Sequence, residues 1–202
     1  MNYLAIDTSG KNLTVVIKKG DKTYMVYDEN CGVKHSTALM PCVEELCLKA
    51  NFDIKDADFL VAVVGAGSFT GIRIGVSTVK AMCFAFNKPC LAVTSFDTLA
   101  YNKKGGKVLS VIDAKHDGFY VCGYDEGKVV LEPSYIMRSE VEKLLDEYDG
   151  VAETEIKGLS VTPVSVVDGL INAIESKLDC VTDNVEALTP LYVRKSQAEE
   201  GR

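Results

Sequence analysis

GAGSFTGIRIGVSTVKAMCFAF, residues 65–86, decides how the rest of the chain is read. The run before it, Phe59-Leu60-Val61-Ala62-Val63-Val64, has the unbroken apolar character of a buried strand. Gly65, Gly67 and Gly71 bracket a tight turn. Ser68 or Thr70 can cap the helix that follows. Helical spacing then holds from Gly71 for about four turns. A strand, a tight turn and a long helix in succession are the local signature of an α/β architecture.

The make-up of that helix raises the functional question. Ile74, Thr78, Ala81, Met82 and Ala85 share one side and are expected to pack on a sheet. Arg73, Ser77, Lys80 and Phe84 fall opposite them, with Val76 and Cys83 at the border. A helix apolar almost all round is covered on both sides. Either the chain's own second half covers it, or a partner does. The partner reading makes Arg73, Val76, Ser77, Lys80, Cys83 and Phe84 interface residues.

The 202 residues suffice for one large domain or two small lobes. Apolar residues make up 47% of them, enough for a substantial core, and the net charge is −7. That balance argues against a chain that binds nucleic acid alone, because phosphate contacts need a basic face. No run of about 18 apolar residues occurs, and nothing is expected to cross a membrane. The opening MNYLAIDTSG lacks the basic and apolar segments of a signal peptide. Seven cysteines without a CxxC read as reduced thiols in a cytoplasmic protein.

In chain order, residues 3–6, 13–17 and 23–27 read as an antiparallel meander. A helix is expected over 36–50, with Leu39, Val43 and Leu46 inward. Strand 59–64, helix 71–86, strand 91–93 and helix 96–101 follow. Asn102-Lys103-Lys104-Gly105-Gly106 is the expected boundary. Beyond it come strands at 107–112, 119–122 and 129–131. A helix is expected to open on a Ser139/Glu142 capping box. Another spans 164–178, and a last strand 188–193. The chain is read as lobe 1–102, a thinner lobe 107–194, and a polar tail 195–202. No internal repeat stands out in the sequence.

The chemical motifs are sparse. The glycine turn could cradle phosphate with its amides. It has no lysine where a Walker loop needs one, and its glycines miss the dinucleotide spacing; its ordinary reading is a tight strand–helix connection. Asp7-Thr8-Ser9-Gly10 reads first as an Asp/Gly turn. Asp7, Ser9, Ser68 and Thr70 are the only weak candidates for holding a nucleotide. His35 and His116 have no histidine partner three or four residues away, so no helical metal pair exists. His35 reads as a surface or cap residue.

At GAGSFTGIRIGVSTVK the chain resembles the TsaB (YeaZ) family. The likeness extends to residues 1–9, to His35-Ser36 with Leu39 and Pro41, and to Ile112-Asp113-Ala114-Lys115 with Phe119-Tyr120. It ends on Pro190-Leu191-Tyr192-Val193-Arg194 and Ala198-Glu199, and so covers nearly the whole chain. Ala66 departs from the proline often found between the first two glycines. The resemblance implies an actin/hexokinase-type ATPase (RNase H-like) fold, α/β with mixed sheets and helices, in two lobes of which the second is reduced. It implies a non-catalytic accessory of tRNA threonylcarbamoyladenosine modification, acting beside the anticodon through a TsaD-like transferase. The first two helices would meet that partner, which adds His35, Ser36 and Met40 to the interface. A TsaE-like ATPase would join, the chain alone would form a homodimer, and tRNA would be touched only indirectly. No cofactor is expected beyond a nucleotide at a partner interface. Two other readings stand beside this one: an ATP-binding phosphotransferase using Asp7 and the loop at 65–71, and a peptidase.

Overall fold

The computed structural model describes residues 1–29 and 31–194. The polar tail expected over 195–202 lies outside them. Two compact units emerge: Met1–Val93 with Lys177–Leu191, and a second centred on Thr94–Ser176.

The first unit is a five-stranded sheet of β1 (Asn2–Asp7), β2 (Leu13–Lys19), β3 (Lys22–Asp28), β4 (Phe59–Val63) and β5 (Cys90–Val93), in the order β3-β2-β1-β4-β5. The meander β1-β2-β3 is antiparallel, and β4 and β5 join β1 in parallel. Central strands read as continuous apolar runs because both their faces are buried. Helix α1 (His35–Ala50) packs on β2 and β3, and α2 (Phe69–Phe86) on β4 and β1. Leu39, Val43, Leu46 and Ala50 of α1 share one core with Leu13, Val15 and Ile17. Lys19 Nζ donates to the carbonyls of Ala50 at 3.4 Å and Asn51 at 2.5 Å, closing the end of α1.

The second unit opens with α3 (Ser95–Ala100). Its sheet contains β6 (Lys107–Asp113), β7 (Gly118–Asp125), β8 (Lys128–Met137), β9 (Asp149–Ala152) and β10 (Val161–Pro163). Their order is β8-β7-β6-β9-β10, with the same antiparallel and parallel senses as the first sheet. The topology is thus repeated without a visible sequence repeat, as the two-lobed mixed α/β expectation requires. The reduction lies in the helices. α4 (Arg138–Leu144), between β8 and β9, holds the place of α1 with 7 residues against 16. Residues 153–160, where a counterpart of α2 would run, form no helix. α5 (Val166–Ser176) follows β10 and packs on α3.

Several expectations need correction. The boundary falls after Val93, not at 102–106, because α3 belongs with β6: Ser110 Oγ donates to the Phe96 carbonyl at 2.8 Å. Residues 188–193 form no strand. Residues 188–191 end the return segment Lys177–Leu191, whose Thr182 bridges Cys90 and whose Leu188 is sealed in the first core, while Tyr192 and Val193 go with the second unit. The Leu191 amide donates to the Val64 carbonyl at 2.7 Å. α4 starts two residues earlier than expected, with Met137 in place of Ser139 as its N-cap and Glu140 Oε2 accepting from the Met137 amide at 3.1 Å. β9 and β10 were not foreseen, and they complete the sheet that the sequence left thin.

A buried polar knot fixes α3. Asp97 accepts from the Thr94 amide at 2.8 Å and from the Tyr124 hydroxyl at 2.9 Å, while Thr94 Oγ1 accepts from the Asp97 amide at 3.0 Å. Burial, with the Asp97 carboxylate alongside, pushes the Tyr124 phenol well above its ordinary value. Removing the carboxylate breaks the capping box and takes one partner from the buried Tyr124 hydroxyl. Asp97→Ala is therefore expected to cost about 2–4 kcal/mol, read as a lowered urea midpoint.

Burial also raises the thiols of Cys31, Cys42, Cys47, Cys83 and Cys90, with Cys83 pushed up to about 12. A buried, protonated thiol does not alkylate. Cys180 is exposed. Iodoacetamide at pH 8 should label Cys180 first, leaving Cys83 and Cys90 untouched until denaturant is added, as peptide mass mapping would read.

Candidate functional site

Two places carried the functional expectations: the glycine turn with the end of β1, and the outward side of α1 and α2.

At the turn, the polar groups are used within the fold. Asp7 Oδ1 accepts from the Ser9 amide at 2.8 Å and from Ser9 Oγ at 2.6 Å. The Ser68 amide donates to the Ser9 carbonyl at 2.6 Å, and Ser68 Oγ accepts from the Gly71 amide at 3.2 Å. Thr8 Oγ1 donates to the Gly71 carbonyl at 2.7 Å. The two turns are pressed so close that a methyl group at Gly67 would run into the Ser9 carbonyl, and one at Gly71 into the Thr8 carbonyl. Asp7 and Ser9 are buried, and Thr70 points outward without joining this network. Ser68, not Thr70, caps the helix. The Ser9, Ser68 and Gly71 amides, which a phosphate cradle would draw on, are thus already engaged within the fold.

On α2 the structure rotates the expected faces. Ile72, Gly75, Val76, Val79, Met82 and Cys83 point inward. Val76 and Cys83, expected at a partner surface, are sealed in the chain's own core. Ala81 and Ala85, expected to pack on the sheet, face outward. The outward strip is Arg73, Ser77, Ala81 and Phe84, and Phe84 is 71% exposed. Arg73 lies over the Phe69 ring, 3.8 Å from its centroid. Ser77 Oγ turns back to the Arg73 carbonyl at 2.5 Å. Lys80 is only partly exposed and pairs with Glu186 at 3.1 Å. Its charge is thus met by this chain's return segment.

By length and composition α2 could cross a membrane, which the lack of an unbroken apolar run had not suggested. Seven of its residues are instead built into the core under it.

On α1, Ser36 and Met40 are exposed as the interface reading needs. His35 is not: it is 1% exposed, with Nε2 3.2 Å from the Asn12 carbonyl. Leu48, 76% exposed, was missed. The signal was present, since an inward stripe of Leu39, Val43 and Leu46 leaves Leu48 on the outside. Among the described residues no three His, Cys, Asp or Glu side chains gather as metal ligands would.

The chain has relatives among known proteins. Residues 26–161 match the family model described as TsaD, tRNA N6-adenosine threonylcarbamoyltransferase. The tRNA threonylcarbamoyladenosine biosynthesis protein TsaB of Bacillus subtilis is 32% identical over 134 residues, 65% of this chain and 58% of that protein. The Escherichia coli protein of the same name is 28% identical over 162 residues, 73% of this chain and 69% of that one. The chain thus matches less than two thirds of the Bacillus relative's length. Among solved structures, a Pseudomonas aeruginosa protein described as similar to peptidase YEAZ superposes with a TM-score of 0.77. It is 23% identical and covers 96% of this chain and 99% of that one, a likeness of fold.

If Asp7 serves the fold, its loss must show in stability. Asp7→Ala is expected to cost about 2–4 kcal/mol, because two hydrogen bonds to a carboxylate vanish and the Ser9 donors are left buried. Equilibrium denaturation measures it; an unchanged midpoint would reopen a chemical role.

Proposed function

The chain belongs to the TsaD family, tRNA N6-adenosine threonylcarbamoyltransferase, and from that premise we propose that it is a non-catalytic adaptor of the tRNA threonylcarbamoyladenosine machinery. The single observation that carries the reading is Phe84. A phenyl ring 71% exposed on a helix whose other side is fully packed is an anchor awaiting a pocket. Exposed Met40 and Leu48 on the adjoining α1 extend the apolar surface. In this reading α1 and α2 lie against equivalent helices of a TsaD-like transferase. When the partner is missing, a second copy of the chain takes its place as a homodimer. Arg73 and Ser77 flank the anchor, and tRNA is reached through the transferase. A TsaE-like ATPase joins the assembly in the cytoplasm.

Two features support a supporting role over a catalytic one. The Ser9 and Ser68 amides are engaged internally, and His35 is buried with its ring 3.2 Å from the Asn12 carbonyl. The relatives named for the same biosynthesis point to the same pathway.

Phe84→Glu places a charge where a desolvated ring should sit. Binding to the cognate transferase subunit, followed by titration calorimetry, is expected to weaken by roughly 30-fold or more. Light scattering should show the homodimer shifted to monomer, with the circular dichroism of the variant unchanged. Wild-type affinity and wild-type mass would remove the adaptor reading.

A further inference from the structure

A sheet edge offers unpaired backbone donors and acceptors, and folds usually blunt it. Three of the four edge strands here are blunted. β5 is closed by Thr182, which bridges Cys90. β10 is three residues long and ends on Pro163. β8 carries Pro133, and its pairing with β7 slips between Val121 and Tyr124. β3 has none of these devices. It ends the first sheet, pairs with β2 over all seven residues without a bulge, and contains neither proline nor glycine. Met25 stands at its centre, 55% exposed.

We propose that this edge receives β3 of a second copy of the chain, antiparallel, so that two five-stranded sheets run on into one. The occupant follows from the strand itself, KTYMVYD, which is its own complement. A two-fold axis at Met25 sets Lys22 opposite Asp28, Thr23 opposite Tyr27 and Tyr24 opposite Val26, each pair made twice. Opposite charges, and an aromatic ring against a β-branched side chain, are favourable cross-strand pairs. Neither Lys22 nor Asp28 takes part in an ion pair among the described residues. The faces agree as well. Tyr24 and Val26 pack against the first core, and Met25, between them, is on the other face of the strand.

Charge also selects sense and register. Parallel pairing would set Lys22 on Lys22 and Asp28 on Asp28, a like-charge contact at each end. An antiparallel slip of two residues would keep the faces and separate both Lys–Asp pairs.

The contact is distinct from the helix-to-helix homodimer, and it fails separately. The test is therefore made in the Phe84→Glu chain, at exposed β3 positions, with circular dichroism to confirm the fold. A seven-residue edge is small beside what a lasting dimer buries, so sedimentation velocity is run at roughly 0.5 mM. The Phe84→Glu chain is expected to self-associate there. Adding Lys22→Asp alone, or Asp28→Lys alone, should weaken association about 10-fold or more, because every end pair becomes like-charged. A one-to-one mixture of those two variants should regain it, since the acids of one face the cations of the other. Met25→Cys with Cys180→Ser should give a disulfide joining position 25 of two copies under mild oxidation; Thr23→Cys with Cys180→Ser should not. A Phe84→Glu chain that stays monomeric at this concentration overturns the proposal. So does association indifferent to both charge variants, which would mark general stickiness or another occupant of the edge, and so does a mixture no better than its components. If Phe84→Glu leaves the helix dimer intact, the adaptor reading falls, and the same charge variants are then read as loss of the larger species.

Discussion

A backbone hydrogen bond, from the Ser68 amide to the Ser9 carbonyl at 2.6 Å, ties the entry of α2 to the exit of β1. With Gly67 and Gly71 against the carbonyls of Ser9 and Thr8, it leaves the helix no freedom to rotate about its axis. That fixed phase decides which side chains are core and which are surface. Ile72, Val76, Val79 and Cys83 turn under the helix. Arg73, Ser77 and Phe84 turn out. A rotation of about half a turn would bury Phe84 and expose Val76. The exposed ring is therefore a consequence of how tightly two turns are pressed together more than 50 residues apart in the chain.

This also explains what could be read in advance. The strands of both meanders, the long helices and the glycine turn are local patterns, and the structure carries them with shifts of a residue or two, except that β7 runs on to Asp125 and β8 to Met137. The phase of α2 is not local. Residues 74, 78, 81 and 85 are as small or apolar as 72, 76, 79 and 83, so periodicity alone offers two solutions. His35 escaped for a similar reason: its burial depends on the Asn12 carbonyl, 23 residues away. β9 and β10 escaped because they are short, one carrying a glycine and the other ending in a proline at the sheet edge. At residues 188–193 the apolar content was read as strand. Its real cause is the filling of a core by Leu188.

The repeated sheet gives the molecule two frames with one topology, and the difference between them is instructive. Where the first frame carries α2, the second has only the connection 153–160. Where the first carries a long α1, the second has a short α4. The helices that bear exposed Met40, Leu48 and Phe84 thus belong to one frame only. Exposed helical surface and sheet architecture are separable properties here: the second frame keeps the sheet without the two long helices.

The return of Lys177–Leu191 to the first unit sets an order of events on the ribosome. Until Thr182 bridges Cys90 and Leu188 drops into place, the N-terminal sheet has an open strand and a gap in its interior. Those residues are synthesised after the whole of Thr94–Ser176. The sheet that is begun first is consequently closed only after the segment between its two parts has been made. A nascent chain stalled short of residue 182 carries a sticky, unclosed sheet that a holding chaperone would recognise.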